Sequence, residues 1–316
     1  MQRVIRATAA GAALFALATF GTQAAEPDSC KAVRFADVGW TDITATTAMA
    51  SRLLEALGYK PDTQVLSVPV TYKSMSNKDI DVFLGNWMPT MEADRKPYLD
   101  DKTVDLIEKP NLEGAKYTLA VPTYTYDEGL KSFADIAKFK DKLAGKIYGI
   151  EPGNDGNRLI LGMIDKDQFS LKGWELVESS EQGMLAQVER ATKRNEAIVF
   201  LGWEPHPMNS KYDMKYLSGG DDVFGPDYGG ATVFTNTRAG YVGACPNVGK
   251  FITNLKFTLP MENEVMGKIL FDSEEAPKAA EDWLKANPDA WTAWLDGVTT
   301  FDGKPGLAAA KASLGL

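Results

Sequence analysis

Two stretches of the chain nearly repeat. VFLGNWMPT begins at Val82 and VFLGWEPHP begins at Val199. Each closes a short apolar run with Gly, Trp and Pro. Such runs, rich in Val, Phe and Leu, are what a strand buried on both faces of a parallel sheet requires. The repeat predicts two α/β units, each ending one strand on an indole.

The surroundings of both phrases fit this reading. Before the first come VRFADVGW as a strand, ITATTAMASRLLEALGY as a helix and QVLSVPV as a strand; YKSMSNKD as a short helix and IDVFLG as a strand follow. In the helix, Ala48, Leu53, Leu54 and Leu57 recur at helical spacing, and Gly58 ends it. After Pro110 the pattern restarts with KYTLAVPTY as a strand and SFADIAKFKDKL as a helix. KIYGI, WELVE and AIVFLG are then strands, separated by the helices GNRLILGMIDK and EQGMLAQVERATKR. Alternation of this kind specifies α/β architecture with a mainly parallel sheet. KYL and ATVFTNTRAGY read as further strands. NVGKFITNLKF, ENEVMGKILFD, EEAPKAAEDWLKA and PDAWTAWLDGV read as helices, and the tail GLAAAKASLGL is left open. Trp174, Trp283, Trp291 and Trp294 are expected in the core.

The first 25 residues stand apart. Arg3 and Arg6 precede an apolar run from Ala7 to Phe20, and Ala24 and Ala25 follow, the plan of a secretory signal peptide. The run is shorter than the roughly 20 residues that a membrane-spanning helix needs. The formal net charge is −9, from 34 basic and 43 acidic residues, and becomes −11 without Arg3 and Arg6. An acidic exported protein has no basic surface for phosphates, so no nucleic-acid partner is expected. An even count of cysteines, Cys30 and Cys245, suggests a disulfide in an oxidising compartment; two free buried thiols are the alternative. Two cysteines and one histidine make a poor metal set, and neither metal nor other cofactor is expected. If the cysteines pair, the last third of the chain belongs with the first lobe. The second lobe is then an insertion, with crossings near residues 111–114 and 212–218. The expected division is residues 26–112 and 215–316 for lobe I and 113–214 for lobe II, with a cleft between them.

Ligands of open α/β sheets bind beyond the C-terminal ends of strands. Trp40 and Asp42 fall there, as do Trp87, Trp203 and Asn154 of EPGND; Tyr117 lies at the entry to the second unit. Indole and phenol faces attract cations, above all quaternary ammonium ions that cannot donate hydrogen bonds. Asp42 and Asn154 serve equally well as helix caps on sequence grounds.

The segments ADVGWTD, DVFLGNWMPT, KYTLAVPTY, YGIEPGND and VFLGWEPHPM resemble the substrate-binding proteins of glycine betaine, proline betaine and choline ABC importers, nearest to their choline-binding members. The likeness runs over essentially the whole chain after residue 25. It implies a two-lobed periplasmic binding fold of type II that closes on its ligand and docks on a membrane permease. It implies an aromatic box at Trp40, Trp87, Tyr117 and Trp203, with Asp42 and Asn154 on the ligand's hydroxyl. Gly153, Asp155 and His206 are secondary candidates, and a Cys30–Cys245 bridge fits the same likeness. A monomer is expected.

Choline and the betaines share the trimethylammonium group. Betaine ends in a carboxylate and needs donors; choline ends in a hydroxyl, which donates and accepts. A carboxylate at Asp42 accepts that proton and repels betaine. Arg158, His206 and the N–H groups after Gly153 are possible donors to a carboxylate. Acetylcholine, without a hydroxyl, is expected to bind less well. An enzyme is not expected: the one histidine, His206, lies between Pro205 and Pro207, and no G-x-S-x-G elbow is present.

Overall fold

The structure, a computed structural model, describes residues 26–316; the expected signal segment, residues 1–25, lies outside the described residues. The first half of the described chain places β1 (Ala32–Asp37), α1 (Thr41–Ala56), β2 (Lys60–Val65), α2 (Val68–Ser76), β3 (Val82–Met88), α3 (Glu92–Asp100) and β4 (Val104–Pro122). There follow β5 (Lys146–Tyr148), α4 (Asp155–Asp165), β6 (Glu175–Val177), α5 (Glu181–Arg194), β7 (Phe200–Glu204), β8 (Met214–Tyr216) and β9 (Gly230–Arg238). The remaining longer helices are α6 (Pro246–Asn254), α7 (Leu259–Phe271), α8 (Ala276–Ala286) and α9 (Gly306–Leu314).

The strands join in the order β2-β1-β3-β9-β4-β7-β5-β6, with β8 on β4. Both flanks are parallel: β1 with β2 and β3, and β5 with β6 and β7. The middle is antiparallel, which corrects the reading of a mainly parallel sheet. There β9 lies between β3 and β4, and β4 pairs onward with β7. KYTLAVPTY is only the second half of β4, which begins at Val104 and passes through Pro110. Its first residues pair with β9, Lys116–Ala120 pair with β7, and Ala120–Pro122 pair with β8. One strand thus stitches the two α/β units together.

Two other expectations are corrected. QVLSVPV is not a strand: β2 ends at Val65, and Val68 opens α2 with Pro69 in its first turn, where a missing N–H costs nothing. The β2 strand is instead the polar KPDTQV, an edge strand whose exposure hides it from any apolar pattern. SFADIAKFKDKL forms a 3-10 helix over Phe133–Phe139, opened by a Ser132/Asp135 capping box. β8 pairs with the far end of β4, Ser218 bridges Ser132, and Gly230 at the start of β9 pairs with Lys116.

Helix α1 sets the position of the site. Ala45, Met49, Ala50, Leu53 and Leu54 are buried, and the helix packs on α7, α8 and α9. Each large apolar side chain so buried contributes about 1.5–3 kcal/mol. Its first turn lies close on β3, because a Cβ at Gly85 would stand 2.8 Å from the Ile43 side chain. Cys30 and Cys245 form the disulfide, with Cα atoms 5.6 Å apart, and tie the start of β1 to the start of α6. Trp174, Trp283, Trp291 and Trp294 are buried as expected. The tail forms α9, where Ser313 accepts hydrogen bonds from Arg52 of α1.

Candidate functional site

The two repeated phrases converge. Trp87 lies within β3 and Trp203 within β7, both inside their strands rather than after them. The spacing between Gly and Trp differs by one residue in the two phrases, and a bulge absorbs it: β3 gains one residue on β9 between Phe83 and Asn86. Tyr117 sits directly opposite Trp203 across the β4–β7 ladder, which puts both rings on one face. Trp40 closes the set from the turn between β1 and α1.

These residues, with Asp42 and Ile150, line one small cavity: Trp40, Asp42, Trp87, Tyr117, Ile150 and Trp203. Trp87 and Tyr117 meet edge to face at 6.1 Å between ring centroids, and Tyr117 and Trp203 at 6.3 Å. Phe224 backs Tyr117 at 5.9 Å. The phenol reaches its place because α4 presents glycine to it: a Cβ at Gly156 would lie 2.0 Å from the Tyr117 oxygen.

Asp42 is 1% exposed. It does not cap α1. Its Oδ2 accepts the Trp87 indole N–H at 3.1 Å, and its Oδ1 has no partner. Burial, and then the nearby Glu181 carboxylate, push its pKa up to about 8. A buried acceptor without a partner is costly, and this one belongs to a residue that lines an aromatic cavity.

Asn154 is fully buried at the mouth of α4, where it does act as a cap: Oδ1 accepts the Asn157 N–H at 2.8 Å. The Tyr117 hydroxyl also lies 3.4 Å from that oxygen, and Nδ2 donates to the Glu151 carbonyl. Asn154 and Gly153 are not among the residues lining the cavity, and neither is Asp155. Asp155 is buried with both carboxylate oxygens unpartnered, and burial raises it to about 6. His206 Nδ1 accepts the Met208 N–H at 2.9 Å, so Nε2 carries a proton and donates to Glu181 at 3.1 Å. Arg158 donates to the Thr90 carbonyl and to Asp94. His206 is thus committed at both ring nitrogens, while Arg158 keeps a buried Nε without a partner and does not line the cavity.

Three residues escaped the sequence reading. Ile150 ends the KIYGI run and was findable by the same rule that gave Trp40. Glu151 accepts the Trp40 indole N–H at 2.8 Å, and burial raises it to about 7. Glu181 bonds Thr41 and His206. No local pattern marks either acid, because Trp40 lies 111 residues from Glu151 and Thr41 lies 140 from Glu181.

The family described as the substrate binding domain of ABC-type glycine betaine transport systems, OpuAC, matches residues 31–286. The chain belongs to this family. As an OpuAC-family protein it is the substrate-binding component of an ABC importer, a two-lobed α/β protein that works with a membrane permease, outside the cytoplasmic membrane. It is similar to a structure described as an ABC-transporter choline binding protein in complex with choline. The two share 66% identity with a TM-score of 0.90, over 92% of this chain and 100% of the other. The counterpart described as unliganded and semi-closed, at the same identity and coverage, gives 0.84. Lactococcal OpuAC in its closed form with glycine betaine is 27% identical with a TM-score of 0.75, over 83% of this chain and 98% of the other. An uncharacterized protein, ORF1, of Chromohalobacter salexigens is 56% identical over 130 residues, 41% of this chain and 83% of its own.

Proposed function

We propose that this OpuAC-family protein captures choline in the Trp40–Trp87–Tyr117–Trp203 box and delivers it from the periplasm to the permease, after loss of residues 1–25. The rings take the trimethylammonium group by cation–π attraction, about 0.5–2 kcal/mol each and more when desolvated. Asp42 Oδ1 accepts the choline hydroxyl and adds its charge. The second hydrogen of the Asn154 amide supports that hydroxyl. The protein binds and releases; it does not turn over its ligand.

The observation that carries the reading is the unpartnered Asp42 Oδ1 in a cavity with aromatic walls and no lining Arg or Lys. Such a site favours a cation with a hydroxyl over a zwitterion with a carboxylate. The likeness to a choline-bound protein at 66% identity supports the same ligand. For the lobes, strand pairing supports a division with residues 26–112 and the chain after the return crossing in lobe I. We place that crossing at Gly229–Gly230 rather than at 214–215, and β4 and β9 form the double hinge.

One observation favours glycine betaine as a second reading. With its pKa raised to about 8, Asp42 in the empty cavity holds a proton at neutral pH, and a neutral carboxyl can donate to betaine. The test is calorimetric titration of ligand-stripped protein with choline and with glycine betaine, below and above that pH. Choline binding about tenfold or more tighter than betaine at both supports the choline reading. Betaine preferred at both moves the assignment to betaine, and no heat from either removes the cavity as the site.

A further inference from the structure

The cavity is flanked by a buried chain of contacts whose members beyond Trp203 do not line it. It runs from the Trp203 ring to His206, 4.7 Å away edge to face, then to Glu181 and on to Thr41. Glu181, His206 and Thr41 are between 1% and 3% exposed. Thr41 belongs to α1, on the unit that carries Trp40 and Asp42; Glu181 and His206 belong to the other unit.

Helix α1 has no cap of its own. Its N-cap residue is Trp40, whose side chain makes no capping bond. The first N–H groups of a helix need acceptors, and a carboxylate there also meets the positive end of the helix dipole. Glu181 supplies both from the opposite side: Oε2 accepts the Thr41 N–H at 2.8 Å, and Oε1 accepts the Thr41 hydroxyl at 2.6 Å. Glu181 is free to do so because Ser180 already caps α5, accepting from Gly183. The His206 Nε2–H holds the same carboxylate, with the ring fixed by Met208.

We propose that Glu181 is the positioning residue of closure: it caps α1 across the cleft and so locks the Trp40–Asp42 edge of the cavity over the bound cation. The inference rests on the proposed capture of choline between closing lobes. Thr41 stands between two cavity residues, so holding it holds both. When the lobes part, Glu181 keeps His206 and gives up Thr41, and water reaches the α1 amides. The contact therefore acts on release of ligand and not on its entry.

The test is Glu181→Gln, with Thr41→Ser and Thr41→Val beside it. A glutamine keeps one acceptor and turns an N–H toward a donor. Stopped-flow fluorescence of the tryptophans is expected to show choline dissociating about tenfold to a hundredfold faster, with association changed by less than about threefold. The choline-to-betaine preference is expected to hold or to move toward choline, because removing the Glu181 charge favours the ionised form of Asp42. Thr41→Ser is expected to release choline like the parent, and Thr41→Val faster. Small-angle scattering of the ligand-free proteins is expected to show Glu181→Gln more open than the parent. Unchanged dissociation in Glu181→Gln and Thr41→Val, or a preference moved toward betaine in Glu181→Gln, overturns the proposal. A parent that binds no choline removes the proposed ligand, and ligand-free scattering then decides the latch alone: equal radii overturn it.

Discussion

The Trp87 indole N–H donates to Asp42 Oδ2 at 3.1 Å, which leaves Oδ1 buried and unpartnered against the cavity. One bond thus links the first copy of the repeated phrase to the start of α1. It joins two residues that line the same cavity.

Replacing Asp42 by Asn separates its two contributions. The amide keeps shape and bulk but loses the charge and offers N–H donors. Choline affinity is expected to fall by about tenfold to a hundredfold, the worth of a charge-assisted hydrogen bond. Glycine betaine is expected to bind as well as before or better, since its carboxylate now meets a donor. Paired titrations read this directly, and equal losses for both ligands would remove Asp42 from the selecting role.

Removing a ring tests the box. Trp87→Ala and Trp203→Ala each delete one face from a desolvated cation site, which is expected to weaken choline by about tenfold or more. Trp203→Phe keeps a ring and is expected to lose less. Binding like the parent in both alanine variants would mean that the repeated indoles are sheet architecture alone.

The cavity's aromatic wall was legible because strands alternate their side chains and end at fixed places. Trp40 and Asp42 fall after a strand as that geometry directs, Trp87 and Trp203 lie inside their strands instead, and the structure brings these four and Tyr117 to one cavity. Asn154 was equally legible as a cap and as a ligand group, and the cap is what the geometry displays. The central β4–β9 ladder was not legible. β4 runs through Pro110 and changes partner along its length, so its apolar pattern breaks where the partner changes. Glu181 gave no signal, since Ser followed by Glu at a helix start reads as ordinary capping chemistry for that helix. Its partner, Thr41, is 140 residues distant.

The disulfide ties Cys30 to Cys245 across 215 residues of chain. Closing so long a loop removes much freedom from the unfolded chain, and its loss is expected to cost about 2–5 kcal/mol. Denaturant unfolding with and without reductant measures this. Choline affinity under reducing but native conditions is expected to hold, because neither cysteine lines the cavity.

The buried acids around the cavity predict how pH moves the lobes. With the lobes together as in the structure, burial raises the carboxyls of Asp42, Glu151 and Asp155 to about 8, about 7 and about 6. In an open, wetted cleft the same carboxyls return toward their ordinary range near 4. Closing without ligand therefore takes up protons. The closed form is favoured at low pH, and that advantage is lost as pH rises through the three raised values. A quaternary cation beside Asp42 stabilises its ionised form and offsets the loss there. The radius of gyration of ligand-free protein is thus expected to grow between about pH 5.5 and about pH 8.5, and to stay nearly constant with saturating choline. Asp42→Asn is expected to shrink the ligand-free response, while Glu151 and Asp155 keep part of it. A ligand-free radius that is flat over this range would show that these carboxyls do not bias closure.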